Sequence, residues 1–257
     1  PLTPVLFESH SHTPLCKHAH GLPTEYAAVA HARGLRGLHV TCHNPMPDGF
    51  SASVRMAESE FGQYVDLIAQ ASDEWDGRVD VRMGLEADYF EGYEAYLEKQ
   101  LASAEFHFVL GSVHPQIAEF RRRYWQDDEV EVQRVYFRLL AQSAETGLFD
   151  SLAHPDLIKN FTSGYWDPAA MLVNKTISEM NPYPAMLREM NERGIPVTLG
   201  ADAHVPTRVA DGYETAMQLL LAAGYDEVNF FLNRQRQTVK ISNALASLKS
   251  PQEVSAE

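Results

Sequence analysis

Nine residues of the kind that bind metal ions, His10, His12, His18, His43, Glu86, His114, His154, Asp202 and His204, recur along the chain, most of them directly after a short apolar run. The first pair shows why the spacing matters. The run Pro4-Val5-Leu6-Phe7 leads into Glu8-Ser9-His10-Ser11-His12, and in an extended strand residues i and i+2 project to the same side. His10 and His12 are therefore placed to grip one ion together. The same device returns late in the chain, where Ile195-Pro196-Val197-Thr198-Leu199-Gly200 leads into Asp202 and His204. Between them, further apolar runs end on His43, Glu86, His114 and His154. A single histidine after a strand is usually a hydrogen-bonded turn residue, but six strand ends with the same habit describe one multinuclear metal site. His20, His31, His39 and His107 lack this context and read as structural or solvated.

Positioning so many ligands calls for parallel strands whose C-terminal ends converge. Helix-compatible stretches fall between the strands: Pro23 to Arg33, Val54 to Ser72, Tyr93 to Leu101, Asp127 to Thr146, Pro184 to Arg193 and Gly212 to Ala223. Several stop at a glycine, as in Arg33-Gly34, Thr146-Gly147 and Arg193-Gly194, where a left-handed residue turns the chain into the next strand. Alternating strands and helices imply a parallel sheet, and ligands spread over many strand ends favour a barrel over an open sheet with one switch point. The expectation is an α/β fold, a distorted barrel in one domain over residues 1–257, with a loose tail from about Ser250. From Phe161 to Asn181 no convincing strand precedes the next helix.

Composition narrows the function. With 35 acidic and 21 basic residues the formal charge is -14, which repels a nucleic-acid backbone; a small phosphorylated substrate remains compatible, because divalent cations invert the local sign. Cys16 and Cys42 are the only cysteines and show no CxxC spacing, so neither a disulfide framework nor a thiolate zinc motif is indicated, and a reducing, cytoplasmic setting fits. No stretch approaches a secretory signal or a membrane span. Dinucleotide, P-loop and serine-hydrolase fingerprints are absent. The mixed imidazole and carboxylate set favours zinc, iron or manganese over magnesium. Such ions acidify water to hydroxide, hold phosphate oxygens and neutralise a leaving alkoxide.

The segments Ser9-His10-Ser11-His12-Thr13-Pro14-Leu15-Cys16-Lys17-His18, Thr41-Cys42-His43-Asn44-Pro45-Met46-Pro47, Gly84-Leu85-Glu86-Ala87-Asp88, Gly111-Ser112-Val113-His114, Ala153-His154-Pro155-Asp156 and Gly200-Ala201-Asp202-Ala203-His204, in this order, resemble the PHP superfamily and its histidinol-phosphate phosphatase branch. The resemblance implies a distorted barrel of about seven strand-helix units with three divalent ions. It assigns His10, His12, Glu86 and Asp202 to the first, Glu86, His114 and His154 to the second, and His18, His43 and His204 to the third. It also implies hydrolysis of L-histidinol phosphate to L-histidinol and phosphate in histidine biosynthesis, with Glu86, His114, His154 and Asp202 at the reacting centre. A phosphoesterase for another small phosphate or a nucleotide, or a metal-binding protein without turnover, are the alternatives. Arg55, Lys159 and Lys175 follow strand ends and are candidates for the phosphate, Asp156 for proton handling, and Phe161, Tyr165 and Trp166 for walling the substrate. Two positions depart from the family pattern, Cys42 and Glu8, where it has Asp. The interval from His154 to Asp202 is also short by roughly one unit, which points either to a lost element or to a stretch missing near Val173-Asn174. The oligomeric state is not legible.

Overall fold

The computed structural model describes residues 3–162 and 180–250. Five parallel strands, β1 (Phe7–Glu8), β2 (Gly37–Val40), β3 (Asp80–Asp88), β4 (Phe108–Ser112) and β5 (Ser151–Leu152), stand side by side in chain order. Parallel neighbours need crossovers, and these are α1 (Pro23–Ala32), α2 (Phe61–Glu74), α3 (Glu94–Leu101), and the pair α4 (Ala118–Tyr124) and α5 (Glu129–Glu145). Helix α2 shows how the layers lock. It buries Tyr64, Ile68 and Ala71, and the Tyr64 hydroxyl lies 2.8 Å from the Val40 carbonyl and 2.9 Å from that of Gly84 while accepting the Cys42 N–H. One side chain thus ties β2 to β3 just beneath the strand ends.

The sheet curls beyond β1. Residues 197–203 run beside it without forming a regular strand: Ser9 N–H donates to the Leu199 carbonyl, and His12 N–H and the His10 carbonyl both bond Ala203. On the far side, Asn229 N–H donates to the Val197 carbonyl. Asn229 belongs to β6 (Glu227–Leu232), which pairs antiparallel with β7 (Gln235–Lys240). Phe7 stacks on Phe230 at 4.6 Å and Phe108 on Phe231 at 5.2 Å, so β6 packs across the curled sheet. Helices α6 (Pro184–Glu192), α7 (Tyr213–Ala222) and α8 (Ile241–Ser247) complete the described elements. Gly34, Gly147 and Gly194 all take positive φ, from 67° to 73°, as the helix-glycine-strand device requires.

The sequence expectation of α/β architecture with ligands at strand ends meets a curled parallel sheet, and three details differ. The helix expected from Val54 starts as a 3-10 turn at Glu58–Glu60 and becomes regular only at Phe61, which leaves Arg55 in a loop. The strand expected over Leu148 to His154 is regular only at Ser151–Leu152. The β6–β7 hairpin, α4 and α8 were not anticipated; β7 is mostly exposed and so lacks the apolar alternation that marks a strand in sequence. The shortfall expected near Val173-Asn174 lies outside the described residues.

Candidate metal centre

At the end of β1, Ser11 faces away from the histidines. Its N–H donates to Thr41 Oγ1 and its hydroxyl to the His39 carbonyl, which pins the register and sends His10 and His12 to the opposite side. Glu8, fully buried, braces the same strand end. Its Oε1 accepts the N–H groups of His10 (3.0 Å) and Ala201 (2.8 Å), and its Oε2 accepts that of Ala210 (2.8 Å). One carboxylate thus fixes the stretch carrying His10 and His12 against the stretch carrying Asp202 and His204.

Glu86, at 0 % exposure, is the centre of the cluster. Its Oε2 lies 3.0 Å from His43 Nδ1, 3.3 Å from His10 Nε2 and 3.5 Å from His12 Nε2; its Oε1 lies 2.9 Å from His154 Nε2 and 3.3 Å from His114 Nε2. Asp202 Oδ1 is 2.9 Å from His12 Nε2, 3.4 Å from His10 Nε2 and 3.5 Å from His204 Nδ1. His18 and His204 face each other through Nε2 atoms 3.0 Å apart. All nine residues named from sequence therefore come together. Their grouping is less partitioned than the resemblance implies: sets of mutually close ligand atoms, within 4.8 Å, include His10/His12/Asp202, His43/Glu86/His114, His12/His43/His204 and Cys16/His18/His204. His43 thus stands between Glu86 and the outer histidines.

The electrostatics explain what the cluster demands. Burial alone would raise the Glu86 pKa, but attraction from His43, His10 and His114 holds it well below the usual carboxylate range. Desolvation opposes charge on His12 and His114, yet Asp202 for the first and Asp88 and Glu86 for the second push each up to about 10. His43, desolvated and crowded by charged His12 and His114, goes down to about 4 despite Glu86. The cluster thus sets two carboxylates among seven imidazoles, with charge on His12 and His114 favoured and charge on His43 opposed.

Two observations show that cations fit. His10 Nε2, His43 Nδ1 and Glu86 Oε2 are buried and make no hydrogen bond of acceptable geometry, although they face one another at 3.0–3.3 Å; each such atom left unpaired costs about 1–3 kcal/mol. The tautomers of the outer pair are also dictated. His18 Nδ1 lies 2.7 Å from the Cys16 carbonyl and His204 Nδ1 lies 3.0 Å from the Asp202 carbonyl. Carbonyls only accept, so both Nδ1 atoms carry a proton, and in the neutral rings both Nε2 atoms are lone-pair sites that face each other. A second proton on His18, whose pKa is raised by the neighbouring Cys16, or a cation between the rings resolves that contact.

A buried layer supports the ligands. Asp88, two residues beyond Glu86 on β3, accepts from His114 Nδ1 at 2.7 Å and from Ser112 Oγ at 2.9 Å through Oδ1, and holds Arg55 Nη2 at 2.5 Å through Oδ2. Arg55 also donates to the Asn44 carbonyl, Asn44 Oδ1 and Ser51 Oγ. Arg55 was expected to meet substrate, and its placement corrects this: at 2 % exposure its guanidinium is committed beneath the metal ligands. Lys159 is corrected for the same reason. Its ammonium donates to both Asp156 oxygens, the Met180 carbonyl and Asn181 Oδ1, and Asp156 also takes the Tyr183 N–H, so this pair clamps two chain segments. Lys175, Tyr165 and Trp166 lie outside the described residues, and Phe161 closes the 3-10 turn Leu157–Asn160. Of the histidines set aside from sequence, His39 is buried with Nε2 2.7 Å from the Phe231 carbonyl, His107 accepts the Asn233 N–H, His31 packs near Trp75, and His20 bonds His204 through backbone. Sequence reasoning missed the roles of Asp88, Asn44 and Ser112. Asp88 carried a signal, since Glu86 and Asp88 at i and i+2 share one face of a strand.

With this geometry established, comparison with known proteins is informative. Residues 8–183 match the PHP domain. A probable histidinol-phosphatase of Deinococcus radiodurans is 37% identical over 252 residues, covering 88% of this chain and 96% of that protein. Among solved structures, a histidinol phosphate phosphatase from Lactococcus lactis, complexed with zinc, L-histidinol and phosphate, superposes with a TM-score of 0.72 at 21% identity, covering 92% of this chain and all of the other. A putative histidinol phosphatase from Listeria monocytogenes gives 0.70 at 18% identity over 81% of this chain. The two structures share the fold.

Proposed function

The chain belongs to the PHP-domain family, and from that premise we infer that it is a metal-dependent phosphomonoesterase that hydrolyses L-histidinol phosphate to L-histidinol and phosphate. The observation that carries the reading is the buried Glu86 carboxylate within 3.5 Å of five imidazoles, in a chain 37% identical to a probable histidinol-phosphatase. His10, His12, Glu86 and Asp202 would hold one divalent ion, Glu86, His114 and His154 a second, and His18, His43 and His204 a third, with zinc, iron or manganese suited to this donor set. When bound, such ions supply Lewis-acid chemistry, acidifying water and neutralising charge on phosphoryl and leaving-group oxygens.

The chain's own residues prepare that chemistry. Glu86 uses both oxygens and so sets the spacing of the groups on its two sides. Asp88 fixes the tautomer of His114 with the proton on Nδ1, which leaves Nε2 free as a donor atom. The Asp202 side chain, 45% exposed, is the carboxylate at the rim of the cluster, where it would hold its ion on the side open to substrate; a proton lost by the attacking water would end on the alcohol that departs. Burial of Glu86, His12 and His114 excludes water from beneath the reacting phosphoryl group. Among the described residues no helix is long and apolar enough to cross a membrane, and a cytoplasmic biosynthetic role is the setting we infer.

The test is phosphate release from L-histidinol phosphate, compared with a generic aryl phosphate, after chelation and reconstitution with zinc, manganese or iron. Selective, metal-restored turnover that disappears in His114→Ala is expected. Stable metal binding without hydrolysis of either ester would refute the assignment and leave a metal-binding protein.

A further inference from the structure

The loop between β1 and α1 carries a buried sulfur that none of these roles uses. Cys16 and Cys42 are both fully buried, and their Sγ atoms and a ring nitrogen of His12 lie within 4.8 Å of one another. Cys16 Sγ is also within 4.8 Å of ring nitrogens of His18 and His204. The two sulfurs are engaged differently. Cys42 Sγ accepts from the Thr13 N–H at 3.4 Å and the Thr13 hydroxyl at 3.2 Å and donates to the Thr13 carbonyl at 3.7 Å, so it closes the turn after His12. Cys16 receives neither of these donors; its surroundings are the other sulfur and the imidazoles of His12 and His18. His12 Nδ1, on a residue 1 % exposed, has no hydrogen-bond partner. Beside Cys16, the His18 and His204 Nε2 atoms converge to 3.0 Å, and with the Cys16 sulfur they form a set of ligand atoms close enough to share one ion.

We propose that Cys16 is a further metal ligand, its thiolate joining His18 and His204 on the outer ion. The thiol releases its proton to solvent as the sulfur-metal bond forms, and no oxidant is needed. Zinc-sulfur and zinc-nitrogen bonds of about 2.3 Å and 2.0–2.1 Å put the donors of a tetrahedral site about 3.3–3.7 Å apart, a spacing that lies inside the 4.8 Å within which the Cys16, His18 and His204 ligand atoms are gathered. A soft thiolate makes this position selective for zinc or iron over manganese, unlike the oxygen- and nitrogen-rich positions around Glu86. The proposal rests on the metal-site reading given above and is independent of the substrate.

The experiment is stepwise cobalt(II) titration of chelator-stripped protein, followed by absorption spectroscopy for sulfur-to-cobalt charge transfer in the near ultraviolet. The band is expected in the wild type, lost in Cys16→Ser and retained in Cys42→Ser. Cobalt binding without the band in the wild type, or a band that survives Cys16→Ser, overturns the proposal. Should Cys16→Ser fail to fold, zinc K-edge X-ray absorption of the wild-type holoprotein decides it: a sulfur scatterer at about 2.3 Å supports it, and a shell of nitrogen and oxygen alone refutes it. Absence of any cobalt binding would overturn this inference and the metal reading together, whereas cobalt bound without sulfur overturns this inference alone.

Discussion

Arg55→Met is the perturbation that best separates a residue beneath the site from a residue in it. Arg55 and Asp88 are both 2% exposed and their closest approach is 2.5 Å. Burial by itself would raise the Asp88 pKa, and the Arg55 guanidinium, with His114, holds it well below the carboxylate range. Removing one partner of such a buried pair leaves an uncompensated charge and costs about 3–5 kcal/mol. For a chain of this size each kcal/mol shifts the unfolding midpoint by about 2–4 °C, so Arg55→Met should unfold about 6–20 °C below the wild type, both measured under chelation. Asp88→Asn in addition should recover part of that loss, because the stranded charge disappears; the double-mutant cycle should show coupling of about 1–3 kcal/mol. His114, deprived of a firmly held acceptor, should lose metal affinity by about 10- to 100-fold, read as metal content by mass spectrometry. If instead Arg55→Met melts within about 2 °C of the wild type and raises only KM, the guanidinium contacts substrate and the buried-relay argument is wrong.

Glu86→Gln should lower metal stoichiometry by more than one ion per chain while His204→Ala removes no more than one, since Glu86 faces groups on two sides; equal losses in elemental analysis would show that it serves a single position. His39 gives a pH prediction away from the ligands. Burial, only partly offset by the Phe231 carbonyl, lowers its pKa from 6.5 to about 3, so the unfolded chain binds the proton first, and stability is complete above about pH 6.5 and lost as pH falls toward 3. Between pH 7.5 and 5, chelated wild type should therefore lose about 2 kcal/mol more than His39→Gln in urea unfolding, and parallel curves would contradict this. A Cβ on Gly200 would lie 2.6 Å from His10 Cβ, and overpacking of this kind costs about 1–3 kcal/mol; Gly200→Ala should fold with reduced stability and reduced metal content, and full metal content would show that the strand ends can yield.

Much of the site was legible because strand geometry is periodic. His10 with His12, and Asp202 with His204, needed only the alternation of side chains along an extended chain, and the other ligands only a shared position after an apolar run. What failed was the reading of Arg55 and Lys159 as phosphate contacts. A cation after a strand end looks exposed in sequence, and its burial depends on partners from other segments: Asp88 from β3 for Arg55, and the Met180 carbonyl and Asn181 for Lys159. The same limit hid the curl of the sheet, since residues 197–203 are held beside β1 by a few backbone bonds and by Glu8, with no regular ladder for a local pattern to announce. The helix boundary near Val54 failed because Arg55, just after it, is drawn inward to Ser51, Asn44 and Asp88, and helical structure begins only with the turn at Glu58–Glu60.

Two of the ligands expose the energetic logic of the site. His154 and Asp202 have φ of 29° and 51°, values that cost non-glycine residues about 1–3 kcal/mol each. Their neighbours enforce them: Tyr136 donates to the His154 carbonyl, and Glu8 takes the N–H of Ala201, next to Asp202. The unpaired atoms of His10, His43 and Glu86 add further cost. Such local costs are offset by the apolar core below, where the helices packed on β2 and β3 bury large side chains such as Tyr26 and Tyr64. A ligand that binds only the folded chain returns RT ln(1 + [L]/Kd) of stability, and here it would also relieve the strain and the unpaired atoms. Glu8, Asp88 and Arg55 brace the cluster from beneath, so the positions of its ligands depend on residues that are not themselves ligands.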